Sequence, residues 1–71
     1  MTKTTMAGNP VVREKEVNGN FYRMAKDLAK EVDYFIYKNG TLMGSVVGTR
    51  KKADDHFDKI VEKGEKQNGN N

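Results

Sequence analysis

The sequence predicts a small α+β domain: a helix, a two-stranded antiparallel hairpin and a C-terminal helix, with a possible extra edge strand at the N-terminus. Three observations predict it. Asn39-Gly40 sits between two strand-favouring runs, and a type I′ turn needs positive φ at both central positions, which Asn and Gly tolerate. After Thr49, a helix N-cap residue, Ala53, Phe57, Ile60 and Val61 recur at helical spacing. The chain is 71 residues long with no cysteine, so it has one small core and neither disulfides nor thiolate metal sites to support it.

Taken in order, residues 1–9 are polar and close on Gly8-Asn9-Pro10, which reads as a flexible tail ended by a turn. Val11 to Val17 reads as a short edge strand or loop. Its alternation sets Val11, Arg13, Lys15 and Val17 against Val12, Glu14 and Glu16, which is too polar for a central strand. Asn18-Gly19-Asn20 is a second turn signal, and Asn20 can cap a helix. Phe21, Met24, Ala25, Leu28 and Val32 then follow an i, i+3, i+4, i+7 pattern, so the reading is a helix to about Glu31. Arg23, Lys26 and Lys30 share its opposite side. A strand is expected from about Asp33, because Tyr34, Phe35, Ile36 and Tyr37 favour strands and lead directly into the turn. The alternative is one helix running to Tyr37 with Gly40 as its C-cap.

A two-residue turn at Asn39-Gly40 fixes a register in which Tyr37 faces Leu42, Ile36 faces Met43 and Phe35 faces Gly44. One hairpin face then carries Phe35, Tyr37, Leu42 and Val46; the other carries Tyr34, Ile36, Met43 and Val47. Both faces are apolar, so both need cover, and a second copy of the chain supplies it economically: a homodimer is expected. Residues 10–63 form the expected domain, and residues 64–71 read as a frayed tail.

The C-terminal helix has three faces at about 100° per residue. Ala53, Phe57, Ile60 and Val61 form the core stripe. Asp54, Asp55, Asp58, Glu62 and Glu65 form an acidic stripe, with Lys52, Lys59, Lys63 and Lys66 beside it. Asp55 and Lys59 are a favourable i, i+4 pair worth a few tenths of a kcal/mol, whereas Asp58 and Glu62 repel at the same spacing. Helix stabilisation alone therefore does not account for five carboxylates on one stripe. A dense carboxylate row imitates the phosphates of nucleic acid, which carries one charge per about 1.7 Å of duplex axis. The competing feature is Arg50, Lys51 and Lys52 in the first helical turn, where the macrodipole disfavours cations but a phosphate is welcome.

The chain has 13 basic and 10 acidic residues, a formal charge of +3, which is modest for a dedicated nucleic-acid binder. No apolar run is long enough to span a bilayer and no signal-peptide pattern opens the chain, so a cytoplasmic protein is expected. Ser45 and His56 are the only residues of their kinds, and nothing in their spacing suggests a nucleophile pair. The helical neighbours of His56 are Lys52, Ala53, Lys59 and Ile60, which gives no metal-binding set. No cofactor, metal or enzyme activity is expected.

Gly48-Thr49-Arg50-Lys51-Lys52-Ala53, after strand, Asn-Gly turn and strand, resembles the C-terminal half of a double-stranded-RNA-binding domain. The resemblance covers Lys38 to Lys63. It implies a Thr49 cap in the place of the family's serine, and duplex contacts through Arg50 and Lys51. The family's next lysine is Asp54 here, followed by Asp55. In overall type the chain also resembles bacteriophage accessory proteins that act on host machinery. Two functions follow as expectations. The first is a non-enzymatic, phage-type inhibitor in the host cytoplasm, whose acidic stripe mimics nucleic acid and occupies a basic host DNA- or RNA-binding protein. The second is direct binding of duplex nucleic acid through Arg50, Lys51 and Lys52, assisted by Lys26 and Lys30.

Overall fold

The computed structural model describes residues 8–69, with side chains through Glu65. Strands β1 (Val11–Val17), β2 (Asn20–Lys26), β3 (Tyr34–Lys38) and β4 (Thr41–Val46) form one antiparallel sheet in chain order, and helix α1 (Arg50–Gly69) follows. The α+β class is as expected, with four strands and a single helix among the described residues. Most of the tail expected at residues 1–9 lies outside the described residues. Asn9 does not: it is buried, and its side-chain oxygen accepts from the Leu28 amide at 3.1 Å.

The helix expected from Phe21 to Glu31 is instead β2 and a loop. The deciding element is Asn18-Gly19, whose φ values of 52° and 84° match those of Asn39 and Gly40. Both pairs make the left-handed two-residue turn that closes a hairpin. Val17 pairs with Asn20, and β2 then runs between β1 and β3 as a central strand. Residues 27–33 wrap around Asp27, whose carboxylate accepts from the amides of Ala29, Glu31 and Val32 at 2.9–3.0 Å.

The β3–β4 register begins as expected, with Tyr37 opposite Leu42, and then shifts. A bulge at Met43 sets Ile36 opposite Gly44 and Tyr34 opposite Val46. Val46 therefore faces the helix with Tyr34 and Ile36, not the outer surface with Phe35 and Tyr37 as the regular register had it. Glycine suits position 44, because a Cβ there would lie 3.3 Å from His56 Nε2 and 3.5 Å from Ile60 Cδ1.

Tyr22, Met24, Ile36 and Val46 from the sheet enclose Ala53, Phe57 and Val61 of α1 to form the core. Burying Phe57 alone contributes about 1.5–3 kcal/mol. Tyr22 and Phe57 meet edge to face at 6.5 Å. The helix starts on a Thr49 cap, which accepts from Lys52 N at 3.2 Å. It continues past Lys63, where a frayed tail was expected, to Gly69. Gly64 lets this last stretch approach the sheet, since a Cβ on it would come within 2.6 Å of the Tyr22 hydroxyl.

Gly64→Ala tests this approach. Overpacking costs about 1–3 kcal/mol, more than the up to about 1 kcal/mol that alanine gains over glycine in a helix. A lower urea midpoint is expected, recovered in part when Tyr22→Phe removes the opposing hydroxyl. A midpoint at or above that of the parent chain would contradict the close approach.

Candidate nucleic-acid interface

The two stripes on α1 have different surroundings. Arg13 reaches from β1 and stacks its guanidinium 4.5 Å above the Phe57 ring. From there it donates to Asp54 Oδ1 at 3.2 Å and to Asp58 Oδ1 at 2.7 Å. Arg50 donates to the same Asp54 oxygen at 3.1 Å and to the Val12 carbonyl at 3.3 Å. At the other end of the helix, Glu65 accepts from Asn18, Asn20 and Tyr22 at 2.7–3.0 Å. Three of the five acidic-stripe residues therefore bind their own sheet. Asp55 and Glu62 are exposed, and so is Asp58 despite its bond to Arg13.

These contacts set the local proton affinities. Asp54 is held below the usual carboxylate range, chiefly by its hydrogen bond from Arg50 and then by the charges of Arg50 and Arg13. Glu65 is held low by its hydrogen bonds from Asn18, Tyr22 and Asn20. Tyr22 is pushed up to about 12, by burial first and then by the Glu65 carboxylate. Asp27 is lowered, first by the Val32 amide and further by the Ala29, Glu31 and Lys30 amides.

The cations are arranged differently. Lys26 ends β2, in the same row as Tyr34 and Val46. Its amide donates to the Pro10 carbonyl. Asp33 accepts from Gly48 N at 2.6 Å, which ties the 27–33 loop to the approach of α1. Lys26, Lys30, Arg50, Lys51 and Lys52 thus gather at one end of the fold. The four lysines are exposed, and none forms an ion pair with another described residue. Arg50 is half-committed to Asp54. Glu31 is an exposed acid at the same end.

Lys30 has φ of 61°. Left-handed backbone costs a residue with a Cβ about 1–2 kcal/mol. The chain keeps a lysine where glycine or asparagine would be easier, held by the amide bonds to Asp27.

From Lys52 the exposed cations continue along the helix to Lys59 and Lys63; the Lys66 side chain lies outside those described. Between this row and β4 is an open groove of about 440 Å³, lined by Ser45, Val46, Val47, Lys52, Asp55, His56 and Lys59. Ser45 and His56 share it, but no hydrogen bond joins them among the described residues. Among those residues, no three His, Cys, Asp or Glu side chains converge as a metal-binding group, and no helix is long and apolar enough to cross a membrane.

Lys59 and Lys63 were visible in the helical periodicity but were not singled out as candidate site residues. Arg13 was not foreseen, because only the fold brings β1 beside α1. No protein-family model, curated protein or solved structure matches the chain, so the site is argued from its own geometry.

The proton affinities predict two limits to stability. Asp27, Asp54 and Glu65 have folded-state pKa values below their unfolded values, so their contribution is complete above the ordinary carboxylate range. It is lost as pH falls through the folded values. Tyr22 works in the opposite direction: the native state holds its proton more tightly. Its contribution is complete below pH 10.0 and disappears as pH rises towards about 12. Denaturant unfolding should therefore show an alkaline decline that is shallower in Tyr22→Phe than in the parent chain. Equal slopes would contradict the burial and Glu65 contact assigned to this hydroxyl.

Proposed function

We propose that this chain is a non-enzymatic nucleic-acid-binding domain that meets phosphates with its basic end. Lys26, Lys30, Lys51 and Lys52 make the principal contacts, Arg50 assists, and Lys59 and Lys63 extend the path along α1. The observation that carries this reading is the separation of charge on the helix. Asp54 and Asp58 are paired with arginine and Glu65 is hydrogen-bonded within the fold, while the lysines of the same helix face solvent. Lys30, kept in left-handed backbone at the same end, supports it. So does the helix opening at Gly48–Ala53, which resembles that of double-stranded-RNA-binding domains.

The mimic reading retains the exposed Asp55, Asp58 and Glu62 as contacts for a basic host protein. A row interrupted by internal ion pairs is a poorer imitation of evenly spaced phosphates. Phage origin and a host-directed role stand with that second reading.

Fluorescence anisotropy of labelled duplex DNA and duplex RNA, at low and at physiological salt, tests the proposal. Binding should weaken steeply with salt. Lys26→Ala with Lys51→Ala and Lys52→Ala should lower affinity and flatten the log–log salt slope by about 0.9 per lost contact on DNA. Lys30→Gly should weaken binding without lowering the unfolding midpoint. Asp55→Lys with Glu62→Lys should strengthen binding, where the mimic reading expects it to abolish partner capture. Absence of binding to either duplex at low salt would overturn the proposal and return attention to Asp55, Asp58 and Glu62.

A further inference from the structure

The groove between α1 and β4 has a chemistry that phosphate contacts alone do not explain. Its helix wall is Lys52, Asp55, His56 and Lys59, which share one stripe at i, i+3, i+4 and i+7. All four are exposed, and no side-chain hydrogen bond or ion pair joins any of them to another described residue. The opposite wall is Ser45, Val46 and Val47. Because β4 is an outer strand of the sheet, this wall presents a free backbone edge. Val47, 64% exposed, gives it an apolar rim. The His56 ring lies across the strand, its Nε2 3.3 Å from where a Cβ on Gly44 would stand.

A volume of about 440 Å³ is that of a small-ligand site. It admits a nucleotide of a single strand and excludes a duplex. Lys52 and Lys59 are about 10 Å apart along the helix axis, and their flexible stems reach phosphates on either side of a nucleotide lying between them. His56, placed between the two, supplies a ring on which a base stacks. Asp55 decides the kind of base. A carboxylate repels phosphate, so a lysine row that serves a backbone alone gains nothing from it. Beside a base, it accepts from an exocyclic amino group, as Asp and Glu accept from cytosine N4. An added β-strand fits the groove less well. The bulge at Met43 interrupts the ladder, and the Gly48 amide donates to Asp33 at 2.6 Å. The edge left between them is shorter than the usual strand of about five to six residues.

We propose that the α1–β4 groove holds an unpaired nucleotide whose base carries an exocyclic amino group. Lys52 and Lys59 meet its flanking phosphates, His56 stacks on the base, and Asp55 accepts from the amino group. The proposal rests on the nucleic-acid reading above, and adds to it a preference for single-stranded ends and a residue that selects the base.

Fluorescence anisotropy at low salt compares a blunt duplex DNA with the same duplex carrying a single-stranded overhang of cytosines or of thymines, pyrimidines of which cytosine alone has the amino group. The gain is the ratio of overhang to blunt affinity, measured on one protein variant at a time. In the parent chain the cytosine gain should be roughly ten-fold and the thymine gain smaller. Asp55→Ala should reduce the cytosine gain to the thymine value. His56→Ala should reduce both gains. Both side chains are exposed, so circular dichroism of each variant should match the parent. Blunt and overhang duplexes bound equally would overturn the groove proposal and leave the phosphate contacts standing. A cytosine gain that equals the thymine gain in the parent, or that survives Asp55→Ala, would overturn it too. Absence of binding to every duplex would overturn the nucleic-acid reading and this proposal with it. Equal binding, together with chemical-shift changes at residues 45–47 on adding an acidic peptide, would assign the groove to an added strand instead.

Discussion

The arginine at position 13 sets the arrangement of charge in this protein. Its guanidinium is flat against Phe57 and bonded to Asp54 and Asp58, so the rotation of α1 about its own axis is fixed from the β1 side. Glu65 fixes the far end through Asn18, Asn20 and Tyr22. With both ends held, Asp54, Asp58 and Glu65 are tied to the first hairpin, while Asp55 and Glu62 stay exposed. The lysine side is then turned to the β4 edge and to solvent. An isolated surface ion pair contributes little, but a guanidinium sandwiched between an aromatic ring and two carboxylates is geometrically constrained, and that constraint orients the whole helix.

Much of this was legible in the sequence. Asn39-Gly40, the Thr49 cap and the Ala53–Phe57–Ile60–Val61 stripe each express a local rule, and each appears in the fold where that rule puts it. β2 was not legible because it is apolar on both faces. Tyr22 and Met24 face the helix while Phe21 and Ala25 face outward, and together they produce the i, i+3, i+4 spacing of an amphipathic helix. The signal that could have decided the matter was Asn18-Gly19, which has the same chemistry as Asn39-Gly40. The bulge at Met43 left no mark in composition. The acidic stripe was visible as a stripe, but a helical projection carries no information about which of its members meet an arginine 41 residues earlier in the chain.

The fold separates two surfaces that the sequence interleaves. The helix side gathers exposed lysines from α1 and from the loop built around Asp27. The opposite side of the sheet gathers aromatic rings with a nearly balanced set of charges. Alternation in the strands produces this separation, since successive side chains of β2 and β3 go to opposite faces.

The proposed contact uses the lysines of the basic end, while Asp54, Asp58 and Glu65 are bonded within the fold. Chemical-shift mapping of backbone amides during titration with a short duplex tests it most directly. The account predicts perturbations at Lys26, Lys30 and Gly48 through Lys52, diminishing along α1, with the amides around Arg13 and Glu65 unmoved. Perturbations centred on Asp54, Asp58 and Glu65, or on none of the basic end, would contradict it.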